Sequence, residues 1–224
     1  MKITAVIVAR RGSRRVLNKM HRRIGGETLV ERKIRQLLGV SAINEVLVGT
    51  DDTTIRDAVI SSGAKFLERK GEFCDEVSKT PNDMVIDVCS KIDCDLVVWA
   101  HPTNPFIESD HYQEALDLYL ASNVKDSVFC ATKAQGHLWF QGRPLNFDPM
   151  LPIHQVAREL DNVYWMNGGI FIRSHRDMMT DGKFLGSRPL MYVVDEITGW
   201  DIDDEWEMRL AQMIWENKLE GGQT

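Results

Sequence analysis

The sequence is short of most features that would assign it quickly, and each absence removes a class. Its four cysteines, Cys74, Cys89, Cys94 and Cys130, form no C-x-x-C pair and have no histidine at zinc spacing. Reduced, structural thiols are the expectation. No apolar run approaches the roughly 18–20 residues of a membrane span, and the N-terminal apolar run is too short and wrongly flanked for a signal peptide. A cytoplasmic protein with no membrane partner is expected. No G-x-x-x-x-G-K-[ST] occurs and no G-x-G-x-x-G follows a strand, which withdraws support from P-loop NTPases and dinucleotide binders. G-x-S-x-G and H-E-x-x-H are missing too. Basic residues are not in excess: Lys+Arg 27 stand against Asp+Glu 33, a formal charge of -6, so the overall footprint of a nucleic-acid binder is lacking.

What is present starts at the N-terminus. The apolar run Ile3 to Ala9 reads as a buried strand, and it breaks into Arg10-Arg11-Gly12-Ser13-Arg14-Arg15 and ends at Lys19. Five cations in ten residues want an anion. In open α/β sheets the ligand binds at the carboxyl ends of strands, where Gly12 and Ser13 free backbone donors for phosphate. A small polyphosphate is the expected ligand, with a solvated basic patch as the alternative.

The 224 residues suit a single α/β domain, 1–224, with one appended arm. A helix opening at Thr28, a strand Glu45 to Val48, a helix through Ile55 and Ile60, and a strand Ala64 to Leu67 make a βαβαβ pattern, the sign of a parallel sheet with helices on its faces. Pro81 starts a further helix, Asp95 to Ala100 reads as a central strand, Ser109-Asp110 as a cap, and Ser127 to Thr132 as strand. Regular alternation lapses over 133–163, where glycines and prolines predict a hairpin and loops serving as an arm, a lid or a subunit contact. Tyr164 to Ile172 resumes as strand, its Gly168 and Gly169 marking a bulge or close backbone approach. Pro189 to Val194 is a last strand before a final helix. Trp99, Trp165, Trp200, Trp206 and Trp215 read as core, with Trp139 the exception, and the histidines other than His101 as exposed or structural.

Asp201-Ile202-Asp203 carries the remaining chemistry. Residues two apart in extended chain point the same way, so both carboxylates face one side and Ile202 turns inward. Such a pair suits Mg²⁺ completed by substrate phosphates, while helix capping is the competing role.

Taken together, these motifs resemble a family. Ala9-Arg10-Arg11-Gly12-Ser13-Arg14-Arg15-Val16-Leu17-Asn18-Lys19 is similar to the A-R-G-G-S-K-R-I-P-R-K signature of the acylneuraminate cytidylyltransferases, the CMP-sialic acid synthetase family. In the same order follow Val48-Gly49-Thr50-Asp51, Pro102-Thr103-Asn104-Pro105, Asn167-Gly168-Gly169-Ile170-Phe171 and Asp201-Ile202-Asp203, resembling V-S-T-D, P-T-S-P, N-G-A-I-Y and D-I-D. The resemblance implies a Rossmann-like nucleotidyltransferase fold, a three-layer sandwich on a mostly parallel sheet. It also implies a homodimer whose arm, here 133–163, covers the neighbour's site. The implied reaction is Mg²⁺-dependent transfer of CMP from CTP to a sialic-type sugar acid. Arg10, Lys19, Asp201 and Asp203 would be catalytic, the aspartates also holding the metal. Ala9, Arg10, Gly12, Ser13, Lys19 and Arg69 would bind nucleotide, and His101, Thr103, Asn104 and Asn167 the sugar. Arg11, Met20, His101, Ile107 and Ala157 depart from the family pattern. Another acceptor or NTP, and a nucleotide-binding regulator without turnover, are the alternatives. His101 in place of an amide predicts acceptor binding that tightens as pH falls through roughly 6.5.

Overall fold

In the computed structural model, residues 1–13, 15–74 and 78–221 are described; Arg14 of the basic loop and residues 75–77 of the polar loop lie outside them. Strand β1 (Ile3–Ala9) is followed by a small ribbon, β2 (Arg23–Ile24) with β3 (Glu27–Thr28), and by helix α1 (Leu29–Leu38). Next come β4 (Glu45–Thr50), α2 (Arg56–Ser61), β5 (Lys65–Glu68), α3 (Pro81–Cys89), β6 (Leu96–Ala100), α4 (Ser109–Leu120) and β7 (Ser127–Lys133). The chain then makes a hairpin of β8 (Trp139–Phe140) and β9 (Arg143–Pro144), and returns as β10 (Tyr164–Ser174), α5 (His175–Asp181), β11 (Pro189–Val194) and α6 (Glu205–Gly221).

Seven strands form one sheet in the order β11-β7-β10-β6-β1-β4-β5. β1 runs parallel to β4 and β6, β4 to β5, and β7 to β11; β10 alone is antiparallel, wedged between β6 and β7. The alternation of β1 explains the layers. Ile3, Ala5 and Ile7 face Val30, Ile34 and Leu37 of α1, Val59 of α2 and Leu116 of α4. Val6 faces the other way, with Trp99, toward Val85 and Val88 of α3 and Met178 of α5. Both faces are covered, which is why β1 and β6 are apolar almost throughout. A third cluster packs α6 through Met208 and Ala211 onto Ile24, Leu29, Phe106 and Ile202.

Local signals place the helices. Thr28 Oγ1 accepts from the Glu31 amide at 3.1 Å while Glu31 accepts from the Thr28 amide at 2.8 Å, a reciprocal cap that starts α1. Thr80 and Asp83 do the same for α3, whose first residue is Pro81. For α4 the cap residue is Glu108 rather than the expected Ser109-Asp110: the Ser109 hydroxyl is turned away to donate to Gln36 O at 2.7 Å. Two tryptophans also depart from expectation, Trp165 and Trp206 being exposed.

The irregular stretch holds the expected hairpin. Gln141 and Gly142 both have positive φ, 49° and 78°, as a two-residue turn between β8 and β9 requires. Buried Asn146 knits its base, accepting from Leu138 N and donating to Gly136 O. Apolar side chains of the stretch stand uncovered, with Met150 86%, Ile153 82% and Trp139 59% exposed.

Candidate active site

Because β1, β4, β5 and β6 are parallel, the residues that follow them, Arg10, Asp51, Arg69 and His101, emerge along one edge of the sheet. Antiparallel β10 begins at that same edge. A cleft of about 480 Å³ opens there, lined by Arg10, Ser13, Arg15 and Lys19, by Arg69, Phe73, Lys79 and Met84, and by His101, Thr103, Asp201 and Asp203.

The basic loop is tied down at two points. The Arg11 amide donates to Asp51 Oδ1 at 2.8 Å, joining it to the end of β4. At its far end Asn18 takes a left-handed φ of 51° and turns the chain into the 19–21 helical turn. Lys19 is thereby driven inward: its Nζ donates to Ile202 O at 2.7 Å and lies 3.6 Å from Asp203 Oδ1. Burial holds its ammonium below the usual lysine range, against the pull of Asp203 and Asp201. Arg15 reaches Asp203 Oδ1 at 3.0 Å from the solvent side.

The acidic pair lies as its alternation predicts, with Ile202 fully buried and both carboxylates on the cleft side. Burial raises the carboxyl pKa of Asp201, although a hydrogen bond with Thr103 opposes that shift. One Asp201 oxygen, Oδ1, is buried without a hydrogen-bond partner among the described residues. An orphaned carboxylate oxygen in a cleft lined by two aspartates fits a cation, and two carboxylates leave the rest of such an ion's shell open to other ligands. Among the described residues no group of three or more histidine, cysteine, aspartate or glutamate side chains converges. Capping of α6 is done by other residues: the Glu207 amide donates to Asp204 Oδ1 at 2.9 Å, and the Asp203 and Asp204 amides donate to Glu207 Oε2 at 2.6 and 2.9 Å. Glu205 is engaged with Arg22 at 2.8 Å.

At the other end, Arg69 lies flat across β4 because residue 49 is glycine; a Cβ there would stand 2.9 Å from Arg69 Cδ. Its guanidinium donates to Phe73 O, and its Nε is buried without a hydrogen-bond partner among the described residues. Ala9 is buried at the end of β1, and Gly12 is exposed with open space around it.

Two expected sugar contacts sit elsewhere. Asn104 is wholly buried, and its Nδ2 donates to Asn167 O at 3.0 Å and Trp200 O at 3.3 Å. Asn167 is buried too, its amide donating to Thr132 Oγ1 at 3.0 Å and accepting from the Gly169 amide. Both hold the wall together behind the cleft; the bulge at Gly168, φ 78°, turns the Asn167 side chain into the sheet. His101 and Thr103 do line the cleft. The His101 ring meets Phe171 and Phe184 edge-on, and burial pulls its pKa down to about 4. The ring is therefore neutral near pH 7, against the expected titration near 6.5. Phe73, Lys79, Thr80, Pro81 and Met84 of the cleft wall were not singled out from the sequence, and only Pro81, as a helix start at a strand's carboxyl side, offered a signal.

The profile of the cytidylyltransferase family matches residues 4–145, more than half of the chain. The chain belongs to the cytidylyltransferase family. This cytidylyltransferase-family chain is 28% identical to the N-acylneuraminate cytidylyltransferase of Escherichia coli O18:K1:H7 over 97% of its own length and 53% of the relative's. It thus spans about half of that relative. With the CMP-N,N'-diacetyllegionaminic acid synthase of Legionella pneumophila it shares 24% identity over 96% of its length and 97% of the relative's. Among solved structures, a CMP:2-keto-3-deoxy-manno-octonic acid synthetase complexed with CTP superposes with a TM-score of 0.71 at 18% identity, covering 97% of this chain and 100% of that one. The 4-diphosphocytidyl-2C-methyl-D-erythritol synthase of Anaerococcus prevotii gives 0.68 at 16% identity, covering 96% and 98%. Likeness at that identity shows the Rossmann-like nucleotidyltransferase fold.

Proposed function

We propose that the chain transfers CMP from CTP to a hydroxyl of a sialic-type sugar acid and releases pyrophosphate, with Mg²⁺ held by Asp201 and Asp203. The observation that carries this reading is the meeting of the Arg10–Lys19 loop and the acidic pair in one cleft, with Asp201 Oδ1 left without a hydrogen-bond partner among the described residues. The bacterial relatives, an N-acylneuraminate cytidylyltransferase and a CMP-N,N'-diacetyllegionaminic acid synthase, support it.

The sugar oxygen forms a bond to the α-phosphorus while the bond from that phosphorus to the pyrophosphate oxygen breaks, and the hydroxyl proton passes to solvent. Arg10 and Ser13 bind the triphosphate, and Lys19, fixed by Ile202 O, offers its charge where negative charge grows on the leaving group. The metal, when bound, neutralises and orients the phosphates. Arg69, clamped flat by β4, closes the opposite end, where the base is read. Thr103 and neutral His101 face the acceptor, and Asn104 and Asn167 hold those residues in place.

A homodimer with the arm 133–163 laid over the neighbouring subunit's cleft fits the uncovered apolar side chains of that stretch. The reaction belongs in the cytoplasm, where CTP is made. The test is a matrix of NTPs against acceptors, nine-carbon sialic-type acids, eight-carbon 3-deoxy-octulosonic acid and neutral sugars, read by pyrophosphate release. CTP with a nonulosonic acid should give the highest kcat/KM. Release only with another NTP or a neutral sugar would overturn the reading, and nucleotide binding without product from any acceptor would favour a regulator.

A further inference from the structure

Lys33 lies in the middle of α1, on the face turned to the sheet, and is completely buried. An ammonium has three donors, and here each has an acceptor: Asn104 O at 2.9 Å, the Tyr112 hydroxyl at 2.9 Å and Ile107 O at 3.5 Å. Tyr112 in turn donates to Gly169 O at 3.2 Å. Three residues on, buried Gln36 donates to Pro105 O at 2.8 Å. Two neighbouring side chains of one helix therefore hold three carbonyls of the loop after β6.

The same loop holds the acidic segment from its other side. Thr103 O accepts from the Ile202 amide at 2.9 Å, and Asn104 Nδ2 binds Trp200 O and Asn167 O. A continuous polar chain thus runs from α1, through the loop, to the backbone on either side of Asp201. Among the described residues no carboxylate pairs with the Lys33 ammonium, so a methionine or leucine of similar volume would fill the space at lower desolvation cost. What lysine adds is direction, since it aims three hydrogen bonds at one turn of chain.

We propose that Lys33 is a positioning residue, fixing through the 103–107 loop the place of Asp201 and Asp203 opposite the Arg10–Lys19 loop. Its functional half rests on the nucleotidyltransferase reading of the cleft; its structural half does not. The environment of the lysine agrees with a strut rather than an ion pair. Burial pulls Lys33 down to about 7, Glu108 opposes that, Arg32 adds to it, Cys130 opposes it and Arg35 adds to it. Even the neutral amine keeps two donors, enough for the two contacts at 2.9 Å.

The experiment compares wild type with Lys33→Met and Tyr112→Phe by amide hydrogen exchange, kcat and KM, with circular dichroism as the check on folding. In Lys33→Met, exchange over 199–204 and 101–107 should quicken about tenfold while β1 amides keep wild-type protection, because the loss is local. The kcat should fall roughly tenfold with CTP KM changed less, since misplaced carboxylates weaken the transition state more than ground-state binding. Tyr112→Phe should show the same pattern, smaller. Exchange over 199–204 that is unchanged, or that rises only together with β1, would overturn the proposal by reducing Lys33 to a core residue. If Lys33→Met fails to fold, Tyr112→Phe decides alone by the same criterion. A wild type without cytidylyl transfer would sink the reading of the cleft, yet the exchange comparison would still decide whether the strut exists.

Discussion

His101 shows how far a residue's neighbours can move its chemistry. The sequence offers an imidazole in place of an amide, and from that alone a titration near its ordinary value is the natural expectation. Packing against Phe171 and Phe184 overrides it and pulls the ring to about 4. The sign follows. Between about 4 and the unfolded value near 6.5, the unfolded chain binds a proton that the folded chain refuses, so the His101 contribution to stability falls as pH drops through that window. His101→Gln should therefore flatten the loss of stability between pH 6.5 and 4, measured by urea unfolding, and leave acceptor KM between pH 6.5 and 8 with the wild-type slope. A KM profile altered by the substitution in the upper range would mean that the ring titrates there. What the residue type could not show was the aromatic contact, because Phe184 is 83 positions away in the chain and nothing in the spacing announces that it will arrive. Asn104 and Asn167 taught the same lesson in reverse: motif position marked them as important, but only burial and hydrogen bonding reveal that they brace the cleft from behind.

At the scale of the element, the segment before α6 separates two roles that look alike in sequence. Four acidic residues stand within Asp201-Ile202-Asp203-Asp204-Glu205, and any of them is a chemically sound helix cap. The hydrogen bonds divide them: Asp204 and Glu207 cap the helix, Glu205 pairs with Arg22, and Asp201 and Asp203 face the cleft. Asp204→Ala should cost about 1 kcal/mol of stability and leave kcat near wild type. Asp201→Asn and Asp203→Asn should each lower kcat by at least about a hundredfold, since metal-borne charge is worth several kcal/mol, with unfolding midpoints near wild type. Kinetic assays beside denaturation curves on the three variants check the division, and a reversed pattern would return Asp203 to the capping role. Period and alternation made the strands and helices legible, together with the caps at Thr28 and Thr80. The buried polar face of α1 was not, because Lys33 and Gln36 in an amphipathic helix read as solvent-facing until the loop that covers them is placed.

At the scale of the whole molecule, Trp139, Phe140, Met150, Ile153 and Val156 of the arm leave apolar side chains exposed to solvent, as do Met191 and Val193 of edge strand β11. Large exposed apolar patches mark association surfaces. Sedimentation should show a dimer, and Trp139→Glu combined with Ile153→Glu should shift it to monomer with at least about a tenfold loss of kcat/KM, if a neighbour's arm completes the cleft. A monomeric wild type would remove the arm from the site altogether. Among the described residues no helix is long and apolar enough to cross a membrane.

The place of β10 reaches beyond the folded state, into synthesis. Chains leave the ribosome N-terminus first. Strands β1, β4, β5 and β6 can assemble as they emerge, but in the sheet β7 is joined to β6 through β10, which arrives after the arm. Until residue 174 is out, β6 offers a bare, wholly apolar edge, the kind of surface that recruits other nascent chains. A translation product halted at residue 145 would contain the whole span matched by the family profile and still lack the strand that joins β6 to β7. The hazard of making this protein is therefore concentrated in the interval when the arm is being translated, and slowing elongation there should raise the insoluble fraction more than slowing it anywhere earlier.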